Sequence, residues 1–266
     1  MRPWFTTLSI AICFGGLFSL TALGGQEEGK VTQDKPPQEV TRTRLAVIQG
    51  ATLWREADST AFYYRAKMAI DADGAPDAYH PEKGKARDDL SNAGAPGNWW
   101  ALVTDNGKPD GTPLLQGEKD PAPGYYISTT ALEDETRSPR DQRRFVDSVT
   151  IPYIVLPPTA IRAGRARLGD FVVVVNTHNH KQAYAIFADI GPDDLLGEGS
   201  IALANALGIP SDARVGGIRD GVIYLVFPHS GNGKPRTLRE IHTKSEKLFQ
   251  KWGGMNRLKQ LVFESK

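Results

Sequence analysis

Cysteine is nearly absent from this chain: of 266 residues only Cys13 carries a thiol, and it lies within an apolar run near the N-terminus. That scarcity excludes thiol catalysis, cysteine-built zinc sites and any disulfide framework once the run is removed. No G-x-S-x-G element occurs, which speaks against a serine hydrolase. There are only five histidines and no H-E-x-x-H, so His178 and His180 in "NTHNHK" read as a polar hairpin tip rather than metal ligands. "SGNGKPR" is no phosphate loop, because Pro235 stands where a Ser or Thr would hold magnesium. "DADG" fails as an EF-hand, since Gly74 follows Asp71 by three residues rather than five. An excess of either charge is also missing. Residues 1–24 hold one base, Arg2, and no acid, so 32 basic and 31 acidic residues become 31 and 31, which gives no field for nucleic acid.

Long apolar runs are scarce too. "LSIAICFGGLFSL" falls short of the ~20 apolar residues of a spanning helix, and with Arg2 before it and "TALGG" after it the segment reads as a secretory signal ending at Gly24 rather than a membrane anchor. A secreted or periplasmic protein is expected, with no membrane attachment after cleavage. Residues 25–43 are polar, carry prolines and hold too little apolar area to fold alone, so they read as a flexible linker, leaving 44–266 as one domain.

What remains is rich in short β-branched and aromatic runs bounded by turn residues: "RLAVIQG", "AFYYRAKMAID", "NWWALVTDNG", "GYYISTTAL", "IPYIVLP", "DFVVVVN", "QAYAIFADIG" and "GVIYLVFP". A mainly β fold follows, with "DFVVVVNTHNHKQAYAIFAD" as a hairpin. Two helices interrupt it. "SIALANALG" has Ser200 as N-cap and Gly208 as its stop. "TLREIHTKSEKLFQKWGG" pairs Thr237 with Glu240 in capping-box spacing and sets Leu238, Ile241, Ser245, Leu248, Phe249 and Trp252 along one stripe.

The chemistry concentrates in "ADIGPDDLLGEGS". Asp189 ends a strand in which simple alternation puts Ala183, Ala185 and Phe187 on its own face, and Glu198 follows across a loop, just ahead of a helix start. Two carboxyl groups on rigid flanks suit hydrolysis of a glycosidic bond, one donating a proton and the other activating water. Spacing alone also fits acids placed before a helix for its dipole. A second acidic stretch, "KMAIDADG", alternates Tyr63, Arg65, Lys67, Asp71 and Asp73 against Phe62, Tyr64, Ala66, Met68 and Ile70, either a solvated strand face or a cleft wall. The doublets Tyr63–Tyr64, Trp99–Trp100 and Tyr125–Tyr126 offer aromatic faces for sugars, with one member of each turned inward for packing.

Taken in order, "AKMAIDADGAPDAYHP", "NAGAPGNWW", "DPAPGYYISTTAL", "FVDSVTIPYIVLP", "YAIFADIGPDDLLGEGSIALANALGI" and "VIYLVFPHSGNGKPR" resemble the chitosanases of glycoside hydrolase family 75, from about Ala66 to Arg236. The resemblance implies an endo-acting, inverting chitosan hydrolase with Asp189 and Glu198 as its catalytic acids. It departs at Ala69 and Ala72, where fungal members carry D-I-D-C-D-G against "AIDADG" here, so that family's cysteine pairing is absent and a bacterial branch is suggested. The same stretch is similar to the double-psi β-barrel of rare lipoprotein A, matched by Asp189, Glu198, Ser200, Leu207 and Gly208. That similarity implies a six-stranded double-psi barrel with insertions and a C-terminal helix, and it raises a rival activity on peptidoglycan strands. A non-catalytic carbohydrate-binding barrel is the other alternative. On the hydrolase reading Glu198 is the general acid and Asp189 the base. Leu195 and Leu196 would raise the acid's pKa and the nearby helix start would lower it, so the roles could be exchanged. A polycationic substrate asks for acidic subsites, for which Asp71, Asp73, Asp193 and Asp194 are the candidates, with Lys67 and Tyr126 beside them. The mechanism requires no metal or organic cofactor, and a monomer is expected.

Overall fold

The computed structural model describes residues 41–263; the expected signal and nearly all of the linker lie outside them. In chain order the elements are β1 (Arg42–Ile48), β2 (Ala51–Glu56), β3 (Phe62–Asp71), β4 (Gly94–Ala95), β5 (Asn98–Trp99), β6 (Tyr153–Leu156), α1 (Pro158–Gly164), β7 (Phe171–Asn176), β8 (Gln182–Ile190), β9 (Glu198–Ser200), α2 (Ile201–Leu207), β10 (Ile218–Val226), α3 (Leu238–Trp252) and α4 (Gly254–Phe263). β1 starts at Arg42, two residues inside the segment read as linker. Among the described residues no helix is long and apolar enough to cross a membrane.

Six strands close on themselves in the order β3-β10-β7-β8-β6-β9, with β9 returning to pair with β3. The β3–β9 and β6–β8 pairs are parallel and the others antiparallel. Closure leaves the barrel no free edge, and the β1–β2 hairpin is added along the start of β3. The barrel is filled by the inward residues that alternation marks: Phe62, Tyr64, Met68 and Ile70 of β3 meet Val172, Val174, Ala185, Phe187 and Tyr224. Tyr64 and Tyr224 stack with centroids 4.7 Å apart.

Outside, α3 and α4 cover Tyr63, Val173, Val175, Ile223 and Leu225 with Phe249, Trp252, Leu258 and Leu261. Burial of each such side chain stabilises by about 1.5–3 kcal/mol. Thr237 and Glu240 form the expected capping box, although Leu238 of the predicted stripe is exposed. Ser200 caps α2 by accepting from Leu203 N–H, and Gly208 ends that helix in the left-handed conformation.

Two expected strands are not regular ones. "NWWALVTDNG" and "GYYISTTAL" lie in the long insertion between β3 and β6, where pairing is limited to the two-residue β4–β5 ladder and isolated bridges such as Leu102–Ser128 and Leu115–Tyr126. The chain between these two runs carries Pro109, Pro113, Pro121 and Pro123, which break any ladder that the aromatics would favour. The insertion is instead tied down by the buried side chain of Gln142, which accepts from Ser128 N–H (2.8 Å) and donates to the carbonyls of Gly74 (2.9 Å) and Ser128 (3.0 Å). This clamp fixes the chain leaving β3 next to Asp71 and Asp73.

Candidate active site

The site forms on the outer face of the barrel, where β8, β6, β9 and β3 run side by side. Alternation alone misplaces Asp189. It assigns that side chain to the face of Phe187 and Ala185, which is the barrel interior, but a bulge intervenes: Ile154 pairs with Phe187 while the next residue, Val155, pairs with Asp189. The skipped residue, Ala188, packs outside, and Asp189 follows Val155 outward. A bulge beside a functional group re-aims a side chain in this way.

Glu198 differs from its expected setting as well. It begins a strand, β9, that pairs with β3 through Ala69 and with β6 through Val155. Three residues are too few to announce a strand by pattern. Gly197 makes the pairing possible: its φ is +89°, and a Cβ there would stand 2.3 Å from the Lys67 carbonyl. Asp189 and Glu198 thus flank one residue, Val155, from opposite sides. At about 4.8 Å per ladder, their Cα atoms are roughly 10 Å apart across β6.

Around this pair the structure gathers two more acids. Asp71 ends β3; its Oδ1 accepts from Asp73 N–H (2.7 Å), and its Oδ2 lies 2.9 Å from the Tyr153 hydroxyl, which is also 2.9 Å from the Asp73 carbonyl. Asp73 Oδ1 accepts from the Tyr79 hydroxyl at 2.7 Å. Carboxylate oxygens of Asp71, Asp73 and Asp189 come within 4.8 Å of one another, a spacing that suits a shared proton or a cation.

The two acids of the central pair are held differently. Asp189 Oδ1 accepts from the main-chain N–H groups of Ala131 (2.8 Å) and Ile190 (2.9 Å). A backbone N–H can only donate, so both favour the ionised carboxylate. Glu198 has no hydrogen-bond donor among the described residues; its Oε2 lies in the space beside Gly191. Burial, reinforced by Asp71 and Asp88 and opposed by Lys67, pushes Glu198 up to about 8. Burial also raises Asp71 to about 6, against the pull of its two hydrogen bonds. Asp73 and Asp189 are raised first by burial and then by Asp71. Of the two leucines expected around the acid, Leu196 is buried in the cluster that fills the barrel and Leu195 is half-buried.

The remaining candidates separate. Lys67 lies on the outward face of β3 near Glu198. Tyr126 is half-buried and donates its main-chain N–H to the Tyr79 carbonyl (2.9 Å), supporting the residue that holds Asp73. Asp193 is occupied at the start of α1, where it accepts from Thr159 N–H and Oγ1, both at 3.0 Å. Asp194 is exposed. His178 sits at the β7–β8 connection and contacts Asp220 at 3.0 Å.

Several participants escape a reading of the chain alone. Tyr153 and Tyr79 look like ordinary core aromatics in sequence. Asp88, buried in the insertion and bonded by Asn92 at 2.9 and 3.0 Å, has no local motif. The Ala131 N–H offers no side-chain signal at all.

A closed barrel that sets two buried carboxyl groups on either side of one strand, one accepting two main-chain N–H groups and the other none, has the equipment of a glycoside hydrolase. Comparison with protein families makes the assignment specific: the model described as fungal chitosanase of glycosyl hydrolase group 75 matches residues 68–255, and the chain belongs to that family. A comparison with curated proteins finds no match.

Proposed function

We propose that this protein is a secreted, endo-acting chitosanase that cleaves β-1,4 bonds with inversion, using Glu198 as general acid and Asp189 as general base. The observation that carries the reading is the shared register with Val155. It sets the two acids across one strand, in keeping with the roughly 6.5–9.5 Å carboxyl separation that admits a water beneath the sugar. The donor pattern supports the roles, since Asp189 receives two N–H groups and Glu198 none.

In the reaction Glu198 gives its proton to the glycosidic oxygen as the bond from that oxygen to the anomeric carbon breaks. Asp189 takes a proton from the water whose oxygen bonds to the same carbon from the opposite face. Asp189 ends protonated and Glu198 ionised, and exchange with solvent restores both. No metal or organic cofactor is required for these steps. Asp71 and Asp73 supply negative charge for glucosamine subsites, with Lys67 and Tyr126 on the groove and Asp194 at its edge; Asp193 acts by holding α1. The two parallel pairings are in keeping with a double-psi barrel. Residues 1–24 serve as the export signal, the linker from 25 to the start of β1 at Arg42 tethers the domain, and the enzyme works as a monomer.

The test is a reducing-end assay on soluble chitosan, with the anomer of the product read by NMR and purified peptidoglycan as a parallel substrate. Asp189→Asn and Glu198→Gln should each lower kcat by about 10²–10⁴-fold with the circular dichroism unchanged. Near-normal hydrolysis by both variants, or cleavage of peptidoglycan alone, would overturn the proposal.

A further inference from the structure

The outward face of β3 carries a gradient of charge. Arg65, Lys67, Ala69 and Asp71 succeed one another there at two-residue intervals, each step spanning about 6.6–6.8 Å. Glu198 registers with Ala69, so the candidate acid stands between a cation and an anion on the same strand. Beyond Asp71 further carboxyl groups follow, with Asp73 next to it and Asp88 close enough to act on both Asp71 and Glu198.

The other direction is the opposite. A cavity of about 590 Å³ is lined by Lys67 and Leu196 together with Arg42, Arg65 and Arg219, and Asp220, already engaged by His178, is the single acid among its lining residues. Among the described residues Arg65, Lys67 and Arg219 have no salt-bridge partner. With four cations against one acid, the lining carries an excess of positive charge where a glycan leaving Glu198 in that direction would pass.

We propose that Glu198 marks an electrostatic divide in the groove, so that the Lys67 side takes the neutral N-acetylated sugar of a partly acetylated glycan and rejects protonated glucosamine, while the Asp71 side takes glucosamine. The inference rests on the hydrolase reading above and adds to it a rule for which bonds are cut. A protonated amine meeting two cations at such spacing is disfavoured, and the same amine beside Asp71 and Asp73 is favoured because it draws those buried carboxyls into their ionised form; near a protein surface each such charge pair is worth about one tenfold step or more. Added salt screens both effects.

The experiment digests chitosan of intermediate acetylation at a pH where its amines are protonated, then sequences the products by mass spectrometry with the new reducing ends labelled. One of the two new termini should be enriched roughly tenfold in N-acetylglucosamine relative to the other, and salt should reduce the ratio. Lys67→Glu, and separately Arg65→Glu, which lies farther from Glu198, should bring the ratio towards one; because a ratio is read, a change in total turnover does not obscure it. Equal acetyl content at the two new termini, or a ratio untouched by both variants, would overturn the inference while leaving the hydrolase reading intact. Absence of any new terminus would overturn both.

Discussion

The hydroxyl of Tyr153 lies 2.9 Å from Asp71 Oδ2 and has a single proton to give. Its other neighbour at 2.9 Å, the Asp73 carbonyl, can only accept. Both contacts are hydrogen bonds when Asp71 itself carries a proton and donates to the tyrosine; once Asp71 ionises, the hydroxyl turns to the carboxylate and the carbonyl is left without it. Because that bond favours the charged form, Tyr153→Phe should raise the pKa of Asp71 above its value of about 6. Carbon NMR of the aspartate carboxyls would record the shift, and a fall in turnover of about tenfold should accompany it; an unmoved titration would refute the role given to the hydroxyl.

The rate should have an alkaline limit set by Glu198. With its carboxyl pushed up to about 8, the group is protonated at neutral pH and kcat/KM should decline as pH rises through that value. Lys67 opposes the shift, so Lys67→Met should move the alkaline limb further up. A limb that stayed in place in that variant would show that Lys67 does not act on the acid.

Stability should follow the same groups with an unfamiliar sign. Glu198 and Asp71 have folded-state pKa values above their unfolded ones, so their contribution is complete below about 4 and is lost as pH rises, through about 6 for Asp71 and about 8 for Glu198. Tm should decline between pH 5 and 8, and Glu198→Gln, which keeps the shape without the charge, should flatten the upper part of that decline in calorimetry.

Gly197 is a position where a methyl group should be costly. At φ +89°, with a Cβ 2.3 Å from the Lys67 carbonyl, Gly197→Ala has to displace the start of β9. A loss on the order of 1–3 kcal/mol is expected from the backbone strain, measurable by denaturant unfolding. Turnover should fall with it, because Glu198 is the next residue.

Much of this arrangement is legible in the chain. The inward set of β3, the β7–β8 hairpin, both helix caps and the two acidic stretches follow from period, turn chemistry and residue type, all of which are local. What escapes is set by pairing between distant segments. The bulge at Ala188 exists because β6 and β8 pair with a one-residue slip, and nothing within "AIFADI" reveals it. β9 is a strand because β3 and β6 lie on either side of it. Tyr153, Tyr79 and Asp88 join the acids from the start of β6 and from the insertion, across separations of up to 82 residues in the Tyr153–Asp71 bond. The strands expected at "NWWALVTDNG" and "GYYISTTAL" failed for the converse reason, since aromatic content favours a ladder only where a partner strand is present.

Asp189 and Glu198 hang from short ladders of the barrel, whereas the wall beside them is an irregular insertion fastened by Gln142. The two parts meet at Asp189, which accepts the Ala131 N–H from the insertion. Exchange of that wall, by recombination or in the laboratory, offers a route to new glycan preferences on the same barrel provided that the donors to Asp189 and Asp73 from Ala131 and Tyr79 are kept.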